Sequence, residues 1–268
     1  MMPGQAAQTA LRRIEAELGG RAPAIAAADL AAIGGACGED EDRCKRWIKR
    51  RLAGEPLAYI LGEVRFRGLA FAVDKRAYAT DPELTHLVDA VIASIRRLRA
   101  ASGREPVVAE VGVGCGALAL SVWRACPGAR LVGLDLDPDA LAVAARNVAA
   151  FGADVRLVES DWFDSWPADL PAPDLIYGDP PWGDEGTLYG ADRPASHYRA
   201  MPPASAFPLG GRAAAHRQIA AAAASRGWKA ELWLNGGCLP PAELATAAPD
   251  GSEIISAAPG ISLLRCHT

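Results

Sequence analysis

Downstream of residue 105, short apolar runs alternate with segments whose apolar positions repeat at helical spacing. Pro106–Val111, Arg130–Leu134, Val155–Val158 and Leu175–Gly178 read as strands, and helices start at Gly116 and Pro138. This rhythm predicts a parallel sheet with helices on both faces. Two later runs, Lys229–Asn235 and Ser252–Cys266, complete the sheet, and a break at Pro259-Gly260 makes the last one a hairpin. Upstream, Asp81-Pro82 supplies an N-cap and a proline at the first helical position, ahead of Leu84, Leu87, Val88, Val91, Ile92, Ile95 and Leu98 at helical spacing. Ala7–Leu18, alanine-rich turns to Ile33, Asp42–Leu52 and Glu55–Leu61 are helical, and Val64–Asp74 alternates around Gly68 as a β-hairpin. The expected organisation is a small helical domain with its hairpin on the substrate side, residues 1–75, and an α/β domain, residues 76–268. The α/β domain is expected to be Rossmann-like, a mostly parallel doubly wound sheet with a C-terminal antiparallel hairpin.

Charge and cysteine usage narrow the partners. With 28 basic and 32 acidic residues the net charge is −4, which argues against nucleic acid held through its phosphates. The basic run Arg43, Lys45, Arg46, Lys49, Arg50, Arg51 follows the acids Glu39-Asp40-Glu41-Asp42, the order a solvated helix prefers; the alternative is a docking face. The six cysteines form no CxxC and no His/Cys cluster at metal spacing, so no metal is expected. His86, His197, His216 and His267 show no ligand spacing and read as surface or structural, His197 being the exception that could serve a site. No apolar run reaches membrane-spanning length and no secretory signal opens the chain, so a cytoplasmic protein without membrane contact is expected.

The strand ending in Glu110-Val111 leads into Gly112-Val113-Gly114-Cys115-Gly116 and a helix. Glycines there permit a tight turn and close backbone approach to a ligand at the positive end of the helix. The spacing is Glu-x-Gly-x-Gly-x-Gly, whereas a dinucleotide site has GxGxxG, and an acid beside the loop disfavours a pyrophosphate. The next strand ends in Asp135, placed to accept two ribose hydroxyls, while Asp137 before Pro138 is an N-cap. After the third strand, Asp161 and Trp162 offer an acceptor and an aromatic face to adenine. A sulfonium, an ammonium and a ribose together satisfy this set, which points to S-adenosylmethionine.

The fourth strand runs into Asp179-Pro180-Pro181-Trp182. A planar NH2 can donate to the Asp179 carboxyl and to the Pro180 carbonyl, and Trp182 can stack on a substrate or meet a cation. Asp184, Glu185, Tyr189 and His197, in the loop that follows, are further candidates for substrate contact. The plain alternative is a proline turn with a packed tryptophan.

These motifs together resemble the class I S-adenosylmethionine-dependent amino-methyltransferases, and within them the HemK/PrmC group of release-factor glutamine methyltransferases. The stretches "RRLAGEPLAYILGEVRFRG" (50–68), "LDLDPDALAVAARN" (134–147) and "PPASAFPLGG" (202–211) carry the same resemblance. It implies the class I methyltransferase fold, S-adenosylmethionine as cofactor and methyl transfer to nitrogen. The chain departs from the group's NPPY motif with Asp179-Pro-Pro-Trp182, lacks an arginine in Ala79–Thr85, and lacks acids after Gly210-Gly211. An ionised aspartate is acceptor-only and favours a cation, so free L-arginine or a similar small cationic amino acid is the expected substrate. The alternative substrate is the glutamine of a peptide release factor. Two other readings are a DNA adenine methyltransferase, which shares the DPPW-type motif, and a non-catalytic S-adenosylmethionine-binding module.

Overall fold

A computed structural model describes residues 5–20, 25–183, 199–202, 205 and 208–268. Two compact units emerge, divided between Glu63 and Val64. The described residues 5–63 of the first include the helices α1 (Gln5–Glu17), α2 (Ala27–Cys37), α3 (Glu41–Leu52) and α4 (Leu57–Leu61). Ala7, Ala10, Ile14, Ile33 and Ile48 form its core. α3 starts where Asp40 accepts from the Arg43 backbone N–H at 2.8 Å, a side-chain N-cap. Its basic residues are paired within the unit: Lys45 and Lys49 with Glu17, Arg50 with Glu55, and Arg51 with Asp29. The solvated-helix reading of that run therefore has a structural basis, since most of its charges are engaged at home.

The hairpin, β1 (Glu63–Phe66) and β2 (Leu69–Ala72), packs with the larger unit. Asn147 accepts from Ala72 N and donates to Ala72 O, both at 2.8 Å, Phe71 stacks on Phe151 with ring centroids 5.3 Å apart, and Arg67 pairs with Asp89 at 2.8 Å. Sequence pattern alone places the hairpin with the N-terminal helices; the contacts place it against Asn147, Phe151 and Arg67's partners Thr85 and Asp89, in the larger unit. Pro82–Leu84 forms a 3-10 turn before α5 (Thr85–Ser102), and the Asp81 side chain makes no cap, accepting instead from the Tyr78 hydroxyl at 3.1 Å.

The sheet elements follow as β3 (Val107–Val111), α6 (Ala117–Ala125), β4 (Arg130–Asp135), α7 (Pro138–Phe151), β5 (Val155–Glu159), β6 (Leu175–Gly178), α8 (Ala214–Ser225), β7 (Glu231–Gly237), α9 (Pro241–Ala245), β8 (Glu253–Ala258) and β9 (Ile261–His267). The seven strands lie in the order β5-β4-β3-β6-β7-β9-β8, the first five parallel and β9 antiparallel to both of its neighbours. β3, β6 and β7 are buried along their whole length, as strands covered on both faces must be. Ile219, Ala220 and Ala223 of α8 meet Ile176, Leu232 and Leu234 in one core. The chain turns outward from β3 through β4 to β5, then returns to the other side of β3 as β6. Ligands bind at the carboxyl ends of strands flanking such a switch point.

Candidate active site

The switch point brings two predicted motifs together. Val111 is the register partner of Gly178, so the glycine loop and Asp179 leave adjacent strands side by side. A cavity of about 520 Å3 opens there, a volume typical of small-molecule sites. Glu110, Gly112, Gly114, Asp135, Asp161, Trp162, Asp179 and Pro180 all line it. Gly116 and Trp182 are outside the lining, the first at the start of α6, the second behind Asp179. Asp184, Glu185, Tyr189 and His197 lie outside the described residues.

Gly112, Gly114 and Gly116 all have positive φ (71°, 54° and 81°), a backbone only glycine adopts freely in succession. The loop is tied to the next strand, with Gly112 N and Val113 N both donating to Leu134 O at 2.8 and 2.9 Å. Asp135 completes the tie. Its Oδ2 accepts from Gly114 N at 2.9 Å and its Oδ1 from Asp137 N at 3.0 Å. Each oxygen keeps a further lone pair for a ligand hydroxyl. Burial raises the Asp135 carboxyl above its usual range. Asp137 caps α7 by accepting from Asp139 N at 2.9 Å. Trp162 adopts a left-handed φ of 43°, an uncommon backbone for an aromatic residue, beside the exposed Asp161.

Glu110 is 3 % exposed in the middle of the sheet and accepts from the Tyr177 hydroxyl at 2.7 Å. Burial pushes its carboxyl up to about 8, and the nearby Asp135 adds to the rise, against the bond from Tyr177. Asp179 is pushed up to about 7, first by loss of hydration and then by Asp81 and Glu83, while hydrogen bonds from Asn235 and Trp182 pull it down. The Asn235 amide donates to Asp179 Oδ1 at 2.7 Å. The Trp182 indole thus meets the Asp179 carboxyl and the backbone of Gly237, where an added Cβ would lie 2.3 Å from the indole.

Carboxyls that line a cavity and take neutral donors leave it electronegative. The loop backbone, two carboxyls at successive strand ends and an acid by an aromatic ring therefore fit S-adenosylmethionine, a cation with a ribose and an adenine.

Comparison with known proteins agrees with this geometry. A methyltransferase domain family matches residues 108–178 and a PrmC N-terminal domain family matches residues 36–62. A solved 16S rRNA N2 G1207 methyltransferase of T. thermophilus, bound to AdoMet and guanosine, superposes with a TM-score of 0.51 at 18% identity, over 76% of this chain and 49% of that one. The fold is that of a class I methyltransferase. In sequence the chain is HemK/PrmC-like. It is 37% identical over 151 residues to the release factor glutamine methyltransferase of Neisseria gonorrhoeae, covering 55% of this chain and 52% of that protein. It is 29% identical over 151 residues to a 4-amino-L-phenylalanine/4-methylamino-L-phenylalanine methyltransferase of Streptomyces pristinaespiralis, covering 56% of this chain and 51% of that one. The chain thus spans about half the length of these curated relatives.

Within this methyltransferase frame the sequence reading missed Asn235. Its one visible signal is a polar residue at the carboxyl end of the apolar run Glu231–Leu234, ahead of two glycines. His216, read as surface or structural, is fully buried, and its Nε2 meets Asn235 O at 2.8 Å. Burial lowers it to about 4, so it stays neutral and donates from Nε2. Tyr78, Thr80 and Leu84, from the segment before α5, also line the cavity and were not singled out by motif. Among the described residues no helix is long and apolar enough to cross a membrane.

Proposed function

We propose that this chain is an S-adenosylmethionine-dependent methyltransferase acting on a planar side-chain nitrogen, and that its acceptor is the glutamine amide of a peptide release factor. The observation that carries the reading is Asp179-Pro180 at the end of β6, on the same cavity wall as the glycine loop and Asp135. When bound, S-adenosylmethionine supplies an electrophilic methyl group. The loop Gly112–Gly116, Asp135, Asp161 and Trp162 would hold it, with Glu110 below the loop. Pro180 has no N–H, so its carbonyl is free to accept, and the Asp179 carboxyl stands beside it. Two such acceptors hold an NH2 group flat and aim its lone pair, and positioning of this kind is a large part of what such a site contributes. A carboxyl near 7 is half ionised at neutral pH, which suits it to take the proton the nitrogen sheds. Support for the glutamine acceptor comes from the Neisseria relative's name and from a carboxyl that approaches the neutral character of an amide.

A second reading, free L-arginine or a similar small cationic amino acid, is favoured by Asp81 and Glu83, which add negative charge around Asp179. The Streptomyces relative, named for an amino-acid substrate, supports a small acceptor in general. Incubation with methyl-labelled S-adenosylmethionine and either a release factor or free arginine separates the two. Label on the release factor alone supports the first reading; label on arginine alone overturns it. Cofactor binding by calorimetry with no label on any nitrogen would leave a non-catalytic binding module.

A further inference from the structure

The strand carrying Asn235 is irregular where it matters. Register between β7 and β9 shifts between Asn235 and Gly237, a β-bulge at the cavity end of the sheet. The bulge depends on two glycines. A Cβ on Gly236 would meet the Leu244 side chain at 2.5 Å and Ser262 O at 3.1 Å, and Gly237 has a φ of 51° with the indole of Trp182 against it. The turn folds the Asn235 side chain back on itself, so that Oδ1 accepts from Gly237 N at 3.2 Å. A backbone N–H can only donate, which assigns the oxygen to that side and the NH2 to Asp179. The Asn235 main chain is fixed in turn by the buried His216.

We infer that Asn235 is a positioning residue for the Asp179 carboxyl, and that with the Trp182 indole N–H it holds that carboxyl in one orientation for an incoming nitrogen. The inference rests on the nitrogen-methylation reading for its consequence, but not for its geometry. A carboxyl can rotate about its last bond; two donors from separate elements stop that rotation. Asn235 sits on β7, 56 residues from Asp179, while Trp182 is three residues along the same loop. The arrangement therefore joins one long-range and one local donor. Replacing the asparagine with a charged acid would set two carboxylates against each other and remove the donor that Asp179 accepts from. The arrangement also gives Trp182 a function that phenylalanine, which has no N–H, cannot supply.

The test is a carboxyl 13C NMR titration of the apo full chain, with the Asp179 signal assigned by its loss in Asp179→Asn. The wild-type midpoint is expected near 7. Asn235→Ala should raise it by about one pH unit, and Trp182→Phe, which keeps the ring, by less. In steady state, Asn235→Ala should lower kcat by about 10- to 100-fold with the KM for S-adenosylmethionine changed less than about twofold. Unchanged midpoints in both variants overturn the inference, as does a kcat that stays at the wild-type value in both. Should Asn235→Ala fail to fold, Trp182→Phe decides. A midpoint that moves in a protein that methylates no nitrogen upholds the positioning and removes the function reading, so the two can fail separately.

Discussion

Acids in the helical unit and acids in the cavity sit in opposite surroundings. Glu17 takes Lys45 and Lys49 and is lowered to about 2, chiefly by those hydrogen bonds. Asp29 and Glu55 have arginines as partners. Glu110 and Asp179 take a tyrosine hydroxyl, an amide and an indole, and rise to about 8 and about 7. One set neutralises the charge of its own surface. The other is built into the protein without a cation among these donors, so loss of hydration keeps its protons on. Perturbation of this second kind, upward and inside a cavity, is the kind that marks a site.

The largest effect should follow from removing the acid at the centre of the contrast. Asp179→Ala is expected to lower kcat/KM by about 10^3-fold in a methyl-transfer assay, with S-adenosylmethionine affinity nearly unchanged. If the ionised form is the working one, wild-type kcat rises with pH through about 7 and is lost below it, and Asp179→Asn flattens that limb.

Next comes Glu110, through stability. Its carboxyl is raised in the folded chain from 4.5 to about 8, so the folded state binds a proton that the unfolded state gives up. This contribution is complete below the unfolded value and is lost as pH rises to about 8. In denaturant titrations of the apo protein, stability should fall between pH 5 and pH 8 by roughly 2–4 kcal/mol more in the wild type than in Glu110→Gln, which keeps the slope due to Asp179 and Asp135. Equal slopes in the wild type and the variant would break the contrast.

Gly237→Ala should cost about 1–3 kcal/mol, from a strained backbone and a methyl driven into the indole, and should release Trp182 from Asp179. Thermal unfolding and tryptophan fluorescence measure both parts. The smallest effect belongs to the helical unit. Glu17→Gln should move Tm by less than about 2 °C and leave methyl transfer unchanged, because exposed pairs add little.

How far the sequence reveals these regions depends on distance along the chain. Leu175–Gly178 was legible to the residue, since a run buried on both faces and ended by glycine has one reading. Helix α7 was legible from Asp137-Pro138, a cap and a proline acting within a single turn. The glycine loop and the two strand-end acids share a cavity because each follows its strand directly. What stayed hidden were contacts between distant segments. Asn147 claims the hairpin across 75 residues, and Asn235 reaches Asp179 across 56. Asp81 looked like a cap because local rules have no term for Tyr78 turning its hydroxyl toward it. Trp182 looked like a stacking face because an indole N–H advertises no partner in sequence.

The β7 bulge also bears on how the protein assembles. β9 lies between β7 and β8, so the segment that fixes the Asn235 turn must dock as a hairpin against a strand already in place. The contact it fixes, Asn235 to Asp179, closes 56 residues of chain, and closures of that length form slowly. The glycine loop and Asp135 need only β3 and β4, which are neighbours in both sequence and sheet. During refolding, affinity for S-adenosylmethionine should return no later than methyl transfer, and the interval between them would time the docking of that hairpin.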